Sequence, residues 1–198
     1  MKLYCQPHDP ISAKFAAVLN IFNKPYEIIM VDPKNPQDKA MLKEISPLGI
    51  LPFILTEDKN ILIEPILDEY RSKGFAGITP QDSRDIDDWI ETVATEIEGL
   101  VQIIIESEME GTELEKETKK SLETQLRYLD NSLQGKLYLV GHTASLADLC
   151  VAVSLLCPFK SFYDKIYSEK FPKLTKWLEV MRLRFRLSKL PSCLKKLS

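Results

Sequence analysis

The sequence predicts an α/β unit followed by an all-α unit. Three observations carry that expectation. Within residues 1–75, short runs rich in β-branched and aromatic residues alternate with runs of helical period. A segment with two glycines and a proline, Gly74 to Pro80, then breaks the pattern. Beyond it no strand pattern survives, only long apolar stripes at helical spacing. The expected domains are residues 1–75, a linker over 76–80 and an all-helical domain over 81–198.

Residues 2–5 alternate as a strand does, and Pro7-His8-Asp9-Pro10 is a loop with strong turn chemistry. Ser12 is placed to cap a helix from Ala13 to about Phe22, whose apolar positions Phe15, Val18, Leu19 and Phe22 share a face. Tyr26 to Val31 reads as a second strand, and a short helix follows over about Asp38–Ile45. Strands Phe53–Thr56 and Ile61–Ile63 flank a four-residue hairpin loop, Glu57-Asp58-Lys59-Asn60. Pro65 suits the first position of the next helix, because its φ fits and its missing N–H is one that a helix start leaves unpaired. The order is β-α-β-α-β-β-α, a thioredoxin-like arrangement. In the second unit, helices are expected over about Ser83–Glu108 and Leu114–Leu133. Ser145-Leu146-Ala147-Asp148 has the spacing of a capping box ahead of an apolar run, and a charged helix pair, about Phe162–Lys170 and Lys173–Arg186, closes the chain.

Composition narrows the class. Apolar content of 44% and only 7 glycines in 198 residues describe a globular protein rather than a disordered one. No run of about 18 apolar residues suggests a membrane span, and the N-terminus goes straight into a strand pattern without a signal-peptide core. Four cysteines, Cys5, Cys150, Cys157 and Cys193, form no Cys-x-x-Cys pair and read as reduced thiols of a cytoplasmic protein. Two distant histidines, His8 and His142, argue against a metal site.

The net charge of −3 hides an asymmetry. Residues 82–117 carry 13 acidic and two basic side chains, and residues 165–198 carry 10 basic and two acidic ones. Two readings stand: solvated helix faces of opposite sign, or a basic patch that meets an acidic partner or RNA.

Two motifs and a third pattern then carry a resemblance. One is Pro47-x-Gly49-x-x-Pro52 with Glu64 at the head of a helix, and the other is Tyr138-Leu139-Val140-Gly141-x-x-x-Ser145-Leu146-Ala147-Asp148. Phe171-Pro172 followed by Trp177 completes the set. In this order, across nearly the full length, they resemble the glutathione-transferase family. The resemblance implies a thioredoxin-like domain followed by a helical one, with Pro52 as a cis-proline. It also implies a buried cap at Ser145 and Asp148 that helps the helical domain fold; losing a cap costs about 0.5–2 kcal/mol.

The same resemblance implies a glutathione pocket around Leu51, Pro52, Glu64 and Pro65. There the family has a Ser after the Glu or Gln, and this chain has Pro65, which supplies neither hydroxyl nor N–H. Ile50 stands where the family often has Lys or Gln. Losing two or three charged hydrogen bonds, each worth roughly 1.5–3 kcal/mol, weakens a ligand about 100-fold or more. The pocket is therefore expected to be vestigial, with no catalytic residue, no cofactor and no metal. The expected role is a protein-interaction module of the translation machinery, like those of elongation factor one gamma and of aminoacyl-tRNA synthetase complexes. It would pair with itself or with another protein, with weak tRNA contact through residues 165–198 and no membrane. The alternative is an active, divergent transferase that binds glutathione and activates its thiol with Tyr4 or Ser12.

Overall fold

A computed structural model describes residues 1–7, 9–46, 48–62, 74–106, 112–162 and 169–191. Four strands, β1 (Lys2–Cys5), β2 (Glu27–Met30), β3 (Phe53–Leu55) and β4 (Ile61–Leu62), form one sheet in the order β2-β1-β3-β4. β1 runs parallel to β2 and antiparallel to β3, and β3 pairs antiparallel with β4. Among the described residues the helices of this unit are α1 (Pro10–Ile21) and α2 (Pro36–Ile45). Leu51-Pro52 is cis, as the family resemblance implies. Glu64 and Pro65 lie outside the described residues, as do His8 and Pro47.

The alternation of β1 splits the apolar interior in two. Leu3 and Cys5 face one side of the sheet and join Ile54, α1 and the helical unit in the main core. Tyr4 faces the other side and packs with Val31, Leu42 and Phe53 under α2. Tyr4 and Phe53 are cross-strand neighbours, and their rings stack at 4.7 Å and 8°.

The helical unit comprises α3 (Pro80–Val93), a π-helical stretch (Ala94–Glu98) that continues into α4 (Gly99–Glu106), α5 (Glu113–Ser132), α6 (Leu146–Phe162) and α7 (Pro172–Arg184). α6 packs against α1, α3 and α7 and runs through the middle of the core. No helix among the described residues is long and apolar enough to cross a membrane.

Four helix starts fall earlier than their sequence expectations, and one rule explains them. α1, α2, α3 and α7 each have proline as their first residue. The caps of the first three are therefore Asp9, Asn35 and Thr79, each accepting from a backbone N–H in the first turn. Ser12 is not a cap but the third residue of α1. Thr79 and Asp82 make a reciprocal capping box. Gly77, at φ +87°, lets this turn close, since a Cβ there would sit 2.4 Å from that of Asp82. α7 is capped from outside, by Asp130 of α5, whose Oδ1 accepts from the Lys173 and Leu174 N–H groups at 2.9 Å each.

Asp148 holds more than its own helix start. Its Oδ2 accepts from the N–H and the hydroxyl of Ser145, both at 2.9 Å. Its Oδ1 accepts from the Leu139 N–H at 2.9 Å and from the Trp177 indole N–H at 3.2 Å. The Ser145 hydroxyl thus donates to the carboxylate, a departure from the usual box in which it accepts from the backbone. With Asp148 fully buried, Asp148→Ala strands donors from three segments. The expected loss is about 3–5 kcal/mol, beyond that of an ordinary cap. Urea unfolding of the variant checks this, and a midpoint equal to wild type refutes it.

Burial pushes the Asp148 carboxyl above the ordinary 3.8, and the four donors oppose that shift without cancelling it. An acid whose native pKa is raised holds more protons folded than unfolded. Its contribution to stability is therefore largest in acid and declines as pH rises past the unfolded value. Stability curves of wild type and Asp148→Asn against pH should diverge in the variant's favour as pH rises from about 4. Parallel curves contradict the shift.

Candidate functional site

A cleft of about 350 Å³ lies between the sheet unit and the helical unit. Residues 50–52 form one wall, α1 supplies Ile11, Lys14, Phe15 and Val18, and the opposite wall comes from Ile90, Ala94, Glu98, Leu146, Leu149 and Cys150. The cis peptide brings Leu51 and Pro52 to its edge, and Ile50 there is half exposed.

The lining is apolar except at one point. Lys14 Nζ contacts Glu98 Oε1, and the Ser154 hydroxyl donates to the same oxygen. The lysine and glutamate side chains are only 15% and 13% exposed, so the pair sits in a poorly solvated place. Cys150 lies beside it with its thiol pushed up to about 11, first by burial, with Lys14 opposing and Glu98 adding to the rise. A thiol of that pKa stays protonated at neutral pH and is a poor nucleophile.

The residues singled out from the sequence fall in different places. Leu51 and Pro52 line the cleft. Tyr4 does not: it lies on the α2 side of the sheet, 6% exposed and stacked on Phe53. Ser12 is fully buried in α1 and its hydroxyl donates to Asp9, the cap of that helix. Ser145 and Asp148 sit behind the cleft, under the start of α6. Glu64 and Pro65 lie outside the described residues. Sequence reasoning missed Lys14, Glu98 and Cys150. The available signal was a charge inside an apolar helical stripe: Lys14 among Ile11, Phe15 and Val18, and Glu98 on the line from Ile90 to Val101.

Comparison with known proteins accords with this architecture. The family model for the glutathione S-transferase C-terminal domain matches residues 92–184. Glutathione S-transferase stcT of Emericella nidulans is 30% identical over 183 residues, which cover 89% of this chain and 85% of that protein. The chain belongs to the glutathione S-transferase family. The fold of poplar glutathione transferase F1 superposes with a TM-score of 0.76 at 24% identity, covering 98% of this chain and 97% of that one. Elongation factor 1-gamma of Carassius auratus is 29% identical over 140 residues, 66% of this chain, and the match spans only 31% of that relative's length.

For a glutathione S-transferase fold the cleft is sparing in polar groups. Glutathione carries two carboxylates and an ammonium. The described lining offers one cation and one anion, and these neutralise each other. The described side chains of the lining therefore offer the tripeptide no unpaired charge. No group of three or more His, Cys, Asp or Glu among the described residues could hold a metal ion.

Cys150 gives a direct check on this environment. At neutral pH its thiolate fraction should be about 100-fold below that of an ordinary thiol. Alkylation with iodoacetamide, followed residue by residue by mass spectrometry, should show Cys150 slowed at least that much in the native chain relative to the urea-unfolded chain. Comparable rates in the two states contradict the assigned burial.

Proposed function

We propose that this chain is a glutathione S-transferase-fold module for protein assembly in the translation machinery of the cytoplasm, and not a glutathione-conjugating enzyme. One observation carries the reading: the cleft has walls for an apolar guest but no thiol activator turned into it among the described residues. The Tyr4 ring is held against Phe53 on the far face of the sheet, the Ser12 hydroxyl is held by Asp9, and the Cys150 thiol is protonated. Pro65, where the family resemblance calls for serine, supports the same reading from the sequence. Similarity to elongation factor 1-gamma supports the translation setting. In that setting the helical faces would bind protein partners, in a homo- or heterodimer, and the basic residues of 165–198 would touch tRNA weakly through its phosphates.

A second reading, a divergent transferase, is favoured by the similarity to stcT across 85% of that protein's length. It requires Tyr4 or Ser12 to leave its present partner, or another group to activate the thiol.

Calorimetric titration separates the two. With glutathione raised to several millimolar, no saturable heat is expected, and conjugation of 1-chloro-2,4-dinitrobenzene should not exceed the uncatalysed rate. A dissociation constant well below a millimolar, or clear turnover, overturns the assembly reading in favour of the enzyme.

A further inference from the structure

The turn after α5 and the outer face of α7 enclose a second depression, of about 220 Å³, which shares no lining residue with the cleft. Leu133 and Trp177 are buried at its base, Leu137 and Val180 flank it, and Lys136, Lys173 and Lys176 complete the described lining. Its walls are set before any guest arrives. Asp148 accepts from the Trp177 indole N–H at 3.2 Å. The Lys136 N–H donates to the Leu133 carbonyl at 3.1 Å across the turn, and Arg184 packs over the Tyr138 ring at 5.7 Å. A preformed groove spares a guest the cost of ordering its receptor.

Two properties of this groove occur together. The first is apolar exposure. Leu137 is 76% and Val180 44% exposed, and Leu183, three residues on along the same face of α7, is again 76% exposed. The second is charge of one sign. Lys136 and Lys176 are exposed and pair with no carboxylate among the described residues. Lys173 is engaged by Asp130 at 3.7 Å. Glu179, the one acidic residue of α7, is not part of the described lining.

These properties select the guest. A nucleic acid would neutralise the lysines through its phosphates and leave Leu137, Val180 and Leu183 in water. Nor does the described lining offer an exposed aromatic ring on which a base could stack, since Trp177 is buried. A protein segment with an apolar edge between carboxylates satisfies both properties at once. We propose that this groove receives an acidic amphipathic helix of a partner protein. Its apolar edge lies along Leu137, Val180 and Leu183, and its carboxylates face Lys136 and Lys176. From Lys176 to Leu183 the stripe runs about 10 Å along α7, roughly two helical turns, so a guest with apolar residues spaced by three and four matches it.

The inference rests on the assembly reading for its choice of a protein guest, and the two fail separately. No docking here, with a silent glutathione titration, overturns the groove and leaves assembly to another surface. Docking here, with tight glutathione binding, keeps the groove and removes the assembly reading.

The probe is a fluorescein-labelled helical peptide of about 18 residues, built of glutamate, alanine and leucine with the leucines on one edge. A control peptide has the same composition with its leucines scattered round the helix. By fluorescence anisotropy at about 0.1 M salt, the first should saturate on the wild-type chain, and the control should bind at least about 10-fold more weakly. Lys136→Glu with Lys176→Glu should weaken binding at least about 10-fold. Leu137→Ser, which leaves charge untouched, should weaken it by about as much. Lys34→Glu with Lys39→Glu makes the same change of net charge at α2, on the face of the sheet away from the helical unit. That chain should bind within about 2-fold of wild type. All these positions are exposed, and melting curves confirm that each variant folds. Excess poly(U) should not displace the peptide. No saturable binding to wild type, equal binding of the control peptide, or a Leu137→Ser chain that binds like wild type overturns the proposal. So does full displacement by poly(U), which makes the groove a nucleic-acid surface. A wild-type dimer that Leu137→Ser renders monomeric also overturns it, because a second copy then holds the groove.

Discussion

The Asp148 carboxylate accepts from the Leu139 N–H, from the Ser145 N–H and hydroxyl, and from the Trp177 indole, so that one buried group joins the loop before α6, the start of α6 and α7. The need for such a tie follows from the character of α6. From Leu146 to Leu155 every described side chain of that helix is buried, with Asp148 and Ser154 its polar members. A helix that is apolar all round has no preferred face, and the hydrophobic effect alone does not choose its rotation. Hydrogen bonds do choose, because they are directional and expensive to leave unmade inside. Burial resists the charge of Asp148, and that resistance is offset most in the arrangement where all the donors converge. The same group that is costly to bury therefore selects one packing of α6 against α7.

The cleft inherits its geometry from that packing. With α6 fixed, Leu146, Leu149 and Cys150 face the cleft, and Ser154 reaches Glu98 one turn later. Lys14 and Glu98 then meet across the two units. Bringing such a pair together out of water gains little net energy, since desolvation offsets most of the Coulomb attraction. Its effect lies in register: either partner left alone would be a poorly solvated charge, so α1 can dock on the helical unit only where the two coincide. The apolar contacts around the pair hold the units together, and the pair decides where.

The succession of strands and helices over residues 1–62 and the Ser145-x-x-Asp148 box were legible in the sequence, because each rests on local chemistry, whereas the cis-proline at Pro52 was implied by the family resemblance. The helix starts were legible too, through prolines at positions 10, 36, 80 and 172. Hydroxyl and acidic residues inside the first turn, at Ser12, Asp38 and Ser83, draw the expected starts of α1, α2 and α3 two or three residues late. Other features carry no local signal. The π-helical stretch at Ala94–Glu98 lies in an acidic, apolar-striped run that reads as an unbroken α-helix. The cap of α7 comes from Asp130, 43 residues before the N–H of Lys173, and the Trp177–Asp148 bond spans 29. Tyr4 is the sharpest case. Alternation in β1 shows that Tyr4 opposes Leu3 and Cys5, but not which side of the sheet will face the cleft. Only the placement of α1 and α6 on the Leu3 and Cys5 side settles that.

Those contacts also explain how one scaffold can carry unlike chemistries. The interactions that specify the fold are the Asp148 tie, the Asp130 cap, the Tyr4–Phe53 stack and the proline-initiated helix starts. None of these groups lines the cleft. The lining residues contribute mainly apolar area, for which one aliphatic side chain substitutes for another at small cost when volume is kept. A position such as Ile50, half exposed at the rim, can exchange a polar for an apolar side chain without leaving a buried donor unpaired. The polar groups of a ligand site can therefore be lost from this architecture while its stability is preserved. The one exception is the Lys14–Glu98 contact, where a lining charge also sets the register of the two units. That coupling makes it the part of the cleft least free to change, whichever ligand the rest of the lining comes to accept.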